Sequence, residues 1–200
     1  MATTGKRTIV DGKGHVVGRL AAYVAKQAIE GAEVVVLRAE GTVFSHPLDR
    51  AVAIYKDKKN KRCLVNPKKG PFHYKEPSRC LKRVIRGMID YKRPMGAEAF
   101  ARIQVFDGIP MEYEKVPRGL LTHALVETQI NPVTKTCTLG QVCTKMGWNH
   151  QGILEKFEEQ RIAREKKVQM AITQKENEKK ALIASKQFEK EVAEALAKIE

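Results

Sequence analysis

The sequence lacks the segments and cysteine patterns that mark secreted, membrane-spanning or zinc-binding proteins. Its first residues, MATTGKRTIVDGKG, contain no apolar core of a secretory signal. The longest purely aliphatic run, Val34–Leu37, is far too short to span a bilayer, so we expect no membrane partner. The four cysteines form no C-x-x-C pair, and we expect free thiols in a reducing compartment. Cys137 and Cys143 could share a metal with distant histidines, but their spacing fits no common zinc signature.

Signatures of enzymes are also missing. The five histidines are scattered, with no H-x-x-x-H pair. The turn IVDGKGHVVGRL resembles a dinucleotide-binding fingerprint, with Glu40 in the place of the ribose-binding acid. However, its glycines give G-x-G-x-x-x-G, Val17 stands where the third glycine belongs, and no G-K-[ST] follows. We predict no enzyme activity, cofactor, metal or small-molecule substrate, and an enzyme that uses a nucleotide at this turn is the disfavoured alternative.

Acidic residues are scarce in one part of the chain. The 200 residues carry a net charge of +14, and a hydrophobic content of 42% indicates a folded domain. Residues 56–93 contain fourteen basic and three acidic side chains, whereas the rest of the chain is close to balanced. A local cationic excess of this kind is typical of a surface that binds a polyanion, most often nucleic acid.

The apolar pattern predicts an α/β domain over residues 1–152. A strand in RTIVDG, a helix in HVVGRLAAYVAKQAIEG ended by Gly31, and a strand in EVVVLRAEG form a βαβ unit with two parallel strands. The second of these strands is apolar throughout, as expected when both faces are covered. Ser45 is predicted to cap a further helix, RIQVFDG to form another strand, and TLGQVCTKMGWN to form a helix ended by Gly147.

Residues 153–200 contain neither glycine nor proline and are predicted to form a charged helical extension. As one helix the segment would reach about 70 Å. Its apolar positions do not repeat over three consecutive heptads, so a coiled coil is poorly supported. So polar a helix cannot be held by the core of its own domain, so it either frays in isolation or lies along a large partner that orders it, and we expect the second.

The stretch SRCLKRVIRGMID is predicted to be an amphipathic helix with Ser78 as its N-cap. At 100° per residue one side is apolar, and consists of Leu81, Val84, Ile85, Met88 and Ile89. The opposite side is cationic, and consists of Arg79, Lys82, Arg83 and Arg86. We expect the apolar side to pack on the core and the cations to meet phosphate.

Upstream of this helix, NPKKGPFHYKEP is interrupted by three prolines and a glycine, which indicates an extended loop. Its cations can neutralise phosphates and its rings can stack on unpaired bases. For each ring, anchoring of the loop to the domain is an equally reasonable role. The glycine turn near the N-terminus supplies a second candidate phosphate contact, in which Lys13, His15 and Arg19 lie beside the start of a helix.

Four stretches, VDGKGHVVGRLAAYVAKQ, GPFHYKEPSRCLKRVIRGMI, VFDGIP and LGQVCTKMGW, occur in the order found in the universal large-subunit ribosomal protein thirteen family. Residues 7–155 resemble the eukaryotic form of that family. The resemblance implies a three-layer α/β/α sandwich around a four-stranded, mainly parallel sheet, with a helical extension after Trp148. It also implies a structural protein of the 60S subunit of the cytosolic ribosome that binds large-subunit rRNA, without catalysis or cofactor.

By the same resemblance, RNA contacts are expected in the GPFHY loop, in the basic helix together with Lys92 and Arg93, and in the glycine turn. The expected RNA-binding residues are Lys13, His15, Arg19, Lys68, Lys69, Phe72, His73, Tyr74, Lys75, Arg79, Lys82, Arg83, Arg86, Lys92 and Arg93. Neighbouring large-subunit proteins are expected along the C-terminal helix, and assembly is expected in the nucleolus. A free RNA-binding translational regulator that uses the same basic surface is the alternative function.

Overall fold

The computed structural model describes residues 7–183 and Lys190. The chain divides into two compact units, Met1–Leu154 and Glu155–Glu200. The described helices and strands, in chain order, are β1 (Arg7–Asp11), α1 (Val17–Ile29), β2 (Glu33–Leu37), β3 (Val43–Phe44), α2 (Leu48–Asn60), α3 (Pro77–Arg86), α4 (Pro94–Ala101), β4 (Ile103–Val105), α5 (Val126–Gln129), β5 (Cys137–Thr138), α6 (Leu139–Lys145) and α7 (Gln151–Ile183).

The first strand, helix and strand form the predicted βαβ unit. β1 and β2 pair in parallel, with Thr8 opposite Val34. The apolar positions of α1 recur at helical spacing, so Leu20 and Val24 lie on one face and are fully buried. Gly31 follows the helix with φ at 99°, a left-handed conformation that glycine adopts without a Cβ clash. The parallel pairing and the position of the turn are therefore confirmed.

The parallel sheet is smaller than expected. Within residues 7–183 it has three parallel strands in the order β1-β2-β4, and β3 pairs with β5 in a separate antiparallel ladder. The expectation of one four-stranded sheet is therefore wrong. At the free edge of β1, Gly119 donates its N–H to the Ile9 carbonyl at 2.9 Å and accepts from the Asp11 N–H at 3.1 Å. On one side of this bridge the next residue in register is Pro117, which has no N–H, and on the other the Leu121 N–H donates to His15, so pairing is limited to this one residue.

The main hydrophobic core lies between β2, β4 and the helices α1 and α3. Alternate residues of β2 face opposite sides: Val34 and Val36 join this core, whereas Val35 and Leu37 join a smaller cluster with Tyr113. Both faces of β2 are therefore covered, as its continuous apolar run predicted. α3 is fixed to the protein through the same core, to which α1 and α3 each contribute fully buried side chains, among them Leu20, Val24, Leu81 and Ile85.

The N-termini of α2 and α6 differ from expectation. α2 begins at Leu48, next to Pro47 and with no side-chain cap, so the predicted cap at Ser45 is wrong. At α6, by contrast, Thr138 forms a capping box that the sequence reasoning missed. Its hydroxyl accepts from the Gln141 N–H at 3.3 Å, and the Gln141 side chain accepts from the Thr138 N–H at 3.1 Å.

The C-terminal helix α7 is 33 residues long, or about 50 Å at 1.5 Å per residue. From residue 162 to residue 183 every side chain is exposed. Arg161 binds Glu158 and Glu165 at helical spacing. The predicted helix is confirmed as far as Ile183, and the rest of the predicted extension, residues 184–189 and 191–200, lies outside the described residues. None of the helices that the structure describes is both long and apolar enough to cross a membrane.

Candidate nucleic-acid interface

The basic helix α3 buries one side against the core, as its periodicity predicted. Leu81, Ile85 and Ile89 are buried, and Val84 is partly buried. Met88, which was predicted on the same side, is 44% exposed. Met88 lies in the turn that follows α3, two residues past the end of the helix at Arg86.

The N-terminus of α3 is held by a carboxylate from another element. The predicted N-cap Ser78 lies inside the helix, which begins at Pro77. Instead, Asp107, in the turn after β4, accepts from the Ser78 N–H at 2.7 Å and from its hydroxyl at 2.9 Å. Burial raises the pKa of Asp107, and the two hydrogen bonds from Ser78 oppose that rise. This contact aligns the basic helix with the end of the parallel sheet.

Two cations of α3 rest over aromatic rings. The Lys82 Nζ lies 5.0 Å from the centre of the Phe100 ring, and the Arg86 guanidinium carbon lies 4.7 Å from that of Tyr91. Both side chains are half-buried, as is common for long cationic side chains whose methylene stems pack on the protein. Such cation–π contacts limit how far the charges can move and cost little in accessibility.

The other two cations of α3 contact the loop that precedes it, residues 66–76, which we call the basic loop. Arg79 pairs with Glu76 at 2.8 Å and lies 6.0 Å from the centre of the Tyr74 ring. The Arg83 Nη1 donates to the Phe72 carbonyl oxygen at 2.6 Å. Arg83 therefore positions the loop as well as contributing charge.

The basic loop is open to solvent along its length. It begins with a short 3-10 turn, Pro67–Lys69, in which the Asn66 side chain accepts from the Lys68 N–H at 3.1 Å. The ring of Phe72 is 71% exposed, too open to be an anchor for the loop, whose backbone is held by α3 instead. The predicted members of this loop are all exposed, namely Lys68, Lys69, Phe72, His73, Tyr74 and Lys75.

Lys92 and Arg93 lie in the exposed turn between α3 and α4. The Arg93 Nε lies 2.9 Å from the Asp90 carboxylate. Because both side chains are mostly exposed, this ion pair contributes little to stability and leaves the guanidinium accessible. The structure thus places these two cations on the surface that follows the basic helix in the chain.

At the glycine turn the structure separates the three predicted residues. Lys13 and Arg19 are exposed, but His15 is fully buried. The His15 Nε2 accepts from the Leu121 N–H at 3.0 Å and its Nδ1 lies 3.2 Å from the Lys13 carbonyl oxygen, so one neutral tautomer satisfies both. Burial lowers the pKa of His15, which favours that neutral form. The predicted phosphate contact of His15 is inconsistent with this position, because neither nitrogen faces solvent.

The residues that imitated a dinucleotide site have structural roles. Glu40 accepts from the N–H of Gly108 at 2.9 Å and so fixes the turn that carries the α3 anchor. A Cβ on Gly12 would lie 2.8 Å from the Leu37 carbonyl oxygen, so this glycine is required by close backbone packing. The cysteines are free, with Cys63 exposed and the other three buried. In the described part of the chain no three metal-ligating side chains gather into a metal site.

Sequence reasoning missed three lysines that belong beside the basic loop. Lys58, Lys59 and Lys61 lie at and just after the end of α2, and they line one cleft together with His73 and Lys75. The only sequence signal for them was the charge excess over residues 56–93. Their proximity to the loop depends on how α2 packs, which no local pattern specifies.

Comparisons with known proteins identify the family of this chain. Residues 5–112 match the family model described as Ribosomal protein L13. Three proteins named "Large ribosomal subunit protein uL13" are similar over most of the chain. That of Tetrahymena thermophila is 38% identical over 80% of this chain and 81% of its own length. That of Drosophila melanogaster is 35% identical over 98% of this chain and 94% of its own length. That of Caenorhabditis elegans is 36% identical over 80% of this chain and 79% of its own length. The chain is a member of the ribosomal protein L13 family.

Proposed function

We propose that this protein is a structural constituent of the large, 60S, subunit of the cytosolic ribosome, where it binds and stabilises large-subunit rRNA. The single observation that carries the proposal is the surface formed by α3 and the basic loop. One side of α3 is fixed in the core, while its cations and the exposed rings of the loop lie together on the other side. The names of the similar proteins support the same assignment.

The proposed RNA contacts combine phosphate neutralisation with stacking. Lysine and arginine side chains release counterions from phosphates, and flat rings accept unpaired bases. The residues proposed for these contacts are Lys13, Arg19, Lys68, Lys69, Phe72, His73, Tyr74, Lys75, Arg79, Lys82, Arg83, Arg86, Lys92 and Arg93. His15 is left out because its ring is buried. No chemical step is assigned to any of them.

We further propose that residues 1–152 form the rRNA-binding domain, with helices layered on both faces of its sheet, and that residues 153–200 form an extension that contacts neighbouring large-subunit proteins. The exposure of every side chain from 162 to 183 supports the second part. A single helix with so little buried apolar surface gains most of its stability from a partner. Incorporation into the subunit is proposed to occur in the nucleolus.

Sedimentation tests the proposal. A tagged copy of the full chain should co-migrate with large subunits in a sucrose gradient and stay with them after a high-salt wash. A free RNA-binding regulator would move into the soluble fractions under the same wash, and that outcome would overturn the ribosomal assignment. Lys68→Ala combined with Lys69→Ala should reduce incorporation, whereas Lys115→Ala combined with Lys135→Ala, at exposed positions outside the proposed contacts, should not.

A further inference from the structure

A cleft of about 460 Å³ lies between the end of α2, the basic loop and α3. Its volume falls within the range of small-molecule sites in proteins, about 300–1,000 Å³. Tyr55, Tyr74, Val84 and Met146 contribute apolar surface to its lining. The cleft therefore offers a wall on which a flat, apolar group can rest.

The charge of the cleft is of one sign. Among the described residues that line it there are five cations and neither aspartate nor glutamate. Cations this close together repel one another, so an anion that enters the cleft relieves the repulsion. The cations are Lys58, Lys59, Lys61, Lys75 and Arg83.

The ring of Tyr74 stands at the boundary of the cleft. It also lines a neighbouring hollow of about 290 Å³, whose lining includes Arg79, whereas the lining of the larger cleft does not. Arg79, whose guanidinium carbon lies 6.0 Å from the centre of the Tyr74 ring, therefore lines the neighbouring hollow and not the cleft. The backbone beneath the ring is held because the Cys80 thiol donates to the Tyr74 carbonyl oxygen at 3.4 Å.

The combination of an apolar wall with cations selects the ligand. A simple anion would satisfy the lysines but leave the tyrosine wall uncovered. A base-paired stem is far larger than the cleft and can present only phosphates to its rim. An unpaired nucleotide carries a flat base and a phosphate on one unit, and it matches both features.

We propose that this cleft captures one unpaired nucleotide of the bound RNA, with the base against Tyr74 and the phosphate among the cations of α2 and the loop. The inference rests on the proposed function, since it specifies how the same surface reads RNA. It assigns a role to Lys58, Lys59 and Lys61 that the sequence did not suggest. Recognition here depends on unpaired structure more than on base identity, because every base has a face that can stack.

The test compares two RNA probes bound by the full chain, measured by fluorescence polarisation. One probe is a single strand of about eight nucleotides, a length typical of single-strand sites. The other is a hairpin whose stem carries a similar number of phosphates. Tyr74→Ala should weaken binding of the single strand by about 5- to 150-fold, the effect of losing one base–aromatic stack. Binding of the hairpin should change by less than about 2-fold, as expected when no phosphate contact is lost.

Matched variants separate stacking from other causes. Tyr74→Phe keeps the ring and should bind both probes like the native chain. Phe157→Ala removes an exposed ring on α7 that is not part of the cleft, and it should also leave both affinities unchanged. If Tyr74→Ala unfolds, the binding comparison is replaced by cross-linking of a single strand that contains 4-thiouridine to the native chain. Adducts are then expected in the basic loop and at the end of α2, and adducts found only elsewhere would overturn the proposal.

The outcomes also distinguish this inference from the proposed function. If Tyr74→Ala binds both probes like the native chain, or loses both equally, the nucleotide cleft is refuted while rRNA binding stands. If an acidic peptide displaces the single-stranded probe at the same concentration as unlabelled RNA does, the cleft binds a protein segment instead. That result would also refute the nucleotide cleft. Failure of the native chain to bind large-subunit rRNA would overturn the proposed function itself.

Discussion

Three cations of α3 provide a quantitative test of the RNA-binding surface. The perturbation replaces Arg79, Lys82 and Arg86 by alanine and keeps Arg83, whose guanidinium holds the basic loop through the Phe72 carbonyl. Each phosphate neutralised by the protein contributes about 0.7 to 0.9 to the slope of log K against log salt. We therefore expect the slope to fall by about 2 to 3 when the three cations are removed. If the native and variant chains bind equally at 1 M salt, this corresponds to a loss of about 40- to 300-fold in affinity at 0.15 M.

The fold should survive the triple substitution because the buried side of α3 is unchanged. The losses are the cation–π contacts of Lys82 and Arg86, at about 0.5–1 kcal/mol each, and the exposed pair of Arg79 with Glu76, at about 0.5 kcal/mol or less. A total near 2 kcal/mol is smaller than the stability of an ordinary domain, about 5–15 kcal/mol. Circular dichroism and urea unfolding verify that the variant is folded before binding is measured.

The assay is filter binding of large-subunit rRNA over a series of salt concentrations. The control removes the same charge from exposed positions of α7, by changing Lys166, Lys167 and Lys179 to alanine. Its slope should change by less than about 1, since we assign no phosphate contact to these lysines. A triple variant of α3 with an unchanged slope, or a control with an equal change, would refute the assignment of this face.

Further predictions concern the residues that hold the site in place. Asp107→Ala should lower the free energy of unfolding in urea by about 1–3 kcal/mol, because the N–H and hydroxyl of Ser78 lose their acceptor. Asp107→Asn keeps one acceptor oxygen and should lower the free energy of unfolding by less than Asp107→Ala does. Equal decreases for the two variants would contradict the anchoring role of Asp107. Burial lowers the folded pKa of His15, so the unfolded state binds more protons below about pH 6.5. The free energy of unfolding should therefore be constant above that pH and decrease below it, by up to about 1.4 kcal/mol per pH unit. His15→Gln should weaken this pH dependence. Gly12→Ala should lower Tm because its Cβ would lie 2.8 Å from a backbone oxygen. Gly18→Ala should leave Tm unchanged because no atom lies within 4 Å of its Cβ. Equal shifts in Tm for the two variants would argue against close packing at Gly12.

Local periodicity predicted the elements that carry the site. The spacing of apolar residues in α1 and α3 depends only on the geometry of the helix, so it can be read from a single sequence. In α3 it identified Leu81 and Ile85 as buried and placed Arg79 and Arg86 on the other side, in agreement with the structure. The error at Met88 lies in the turn after α3, where the chain no longer follows regular helical geometry, although Ile89 in the same turn is buried as predicted.

Side chains whose role depends on distant residues could not be predicted in this way. His15 looked like a phosphate contact because it lies between a lysine and an arginine, but its ring turns inward to the backbone of Leu121, 106 residues away in the sequence. The cap of α3 is similar: Ser78 has the right residue type, yet its partner is Asp107, 29 residues further along. Hydrogen bonds of this kind form only after the elements have packed.

The sequence by itself determined that this protein has a βαβ unit, an amphipathic basic helix and a cationic surface concentrated in residues 56–93. These properties follow from the order of residue types along the chain. The tertiary structure decided how many strands the parallel sheet has, since the segment beside β1 pairs with it only at Gly119 and forms no strand there. It also decided that lysines of α2 face the basic loop across a cleft, because contacts between elements depend on the packing of the core and not on local order.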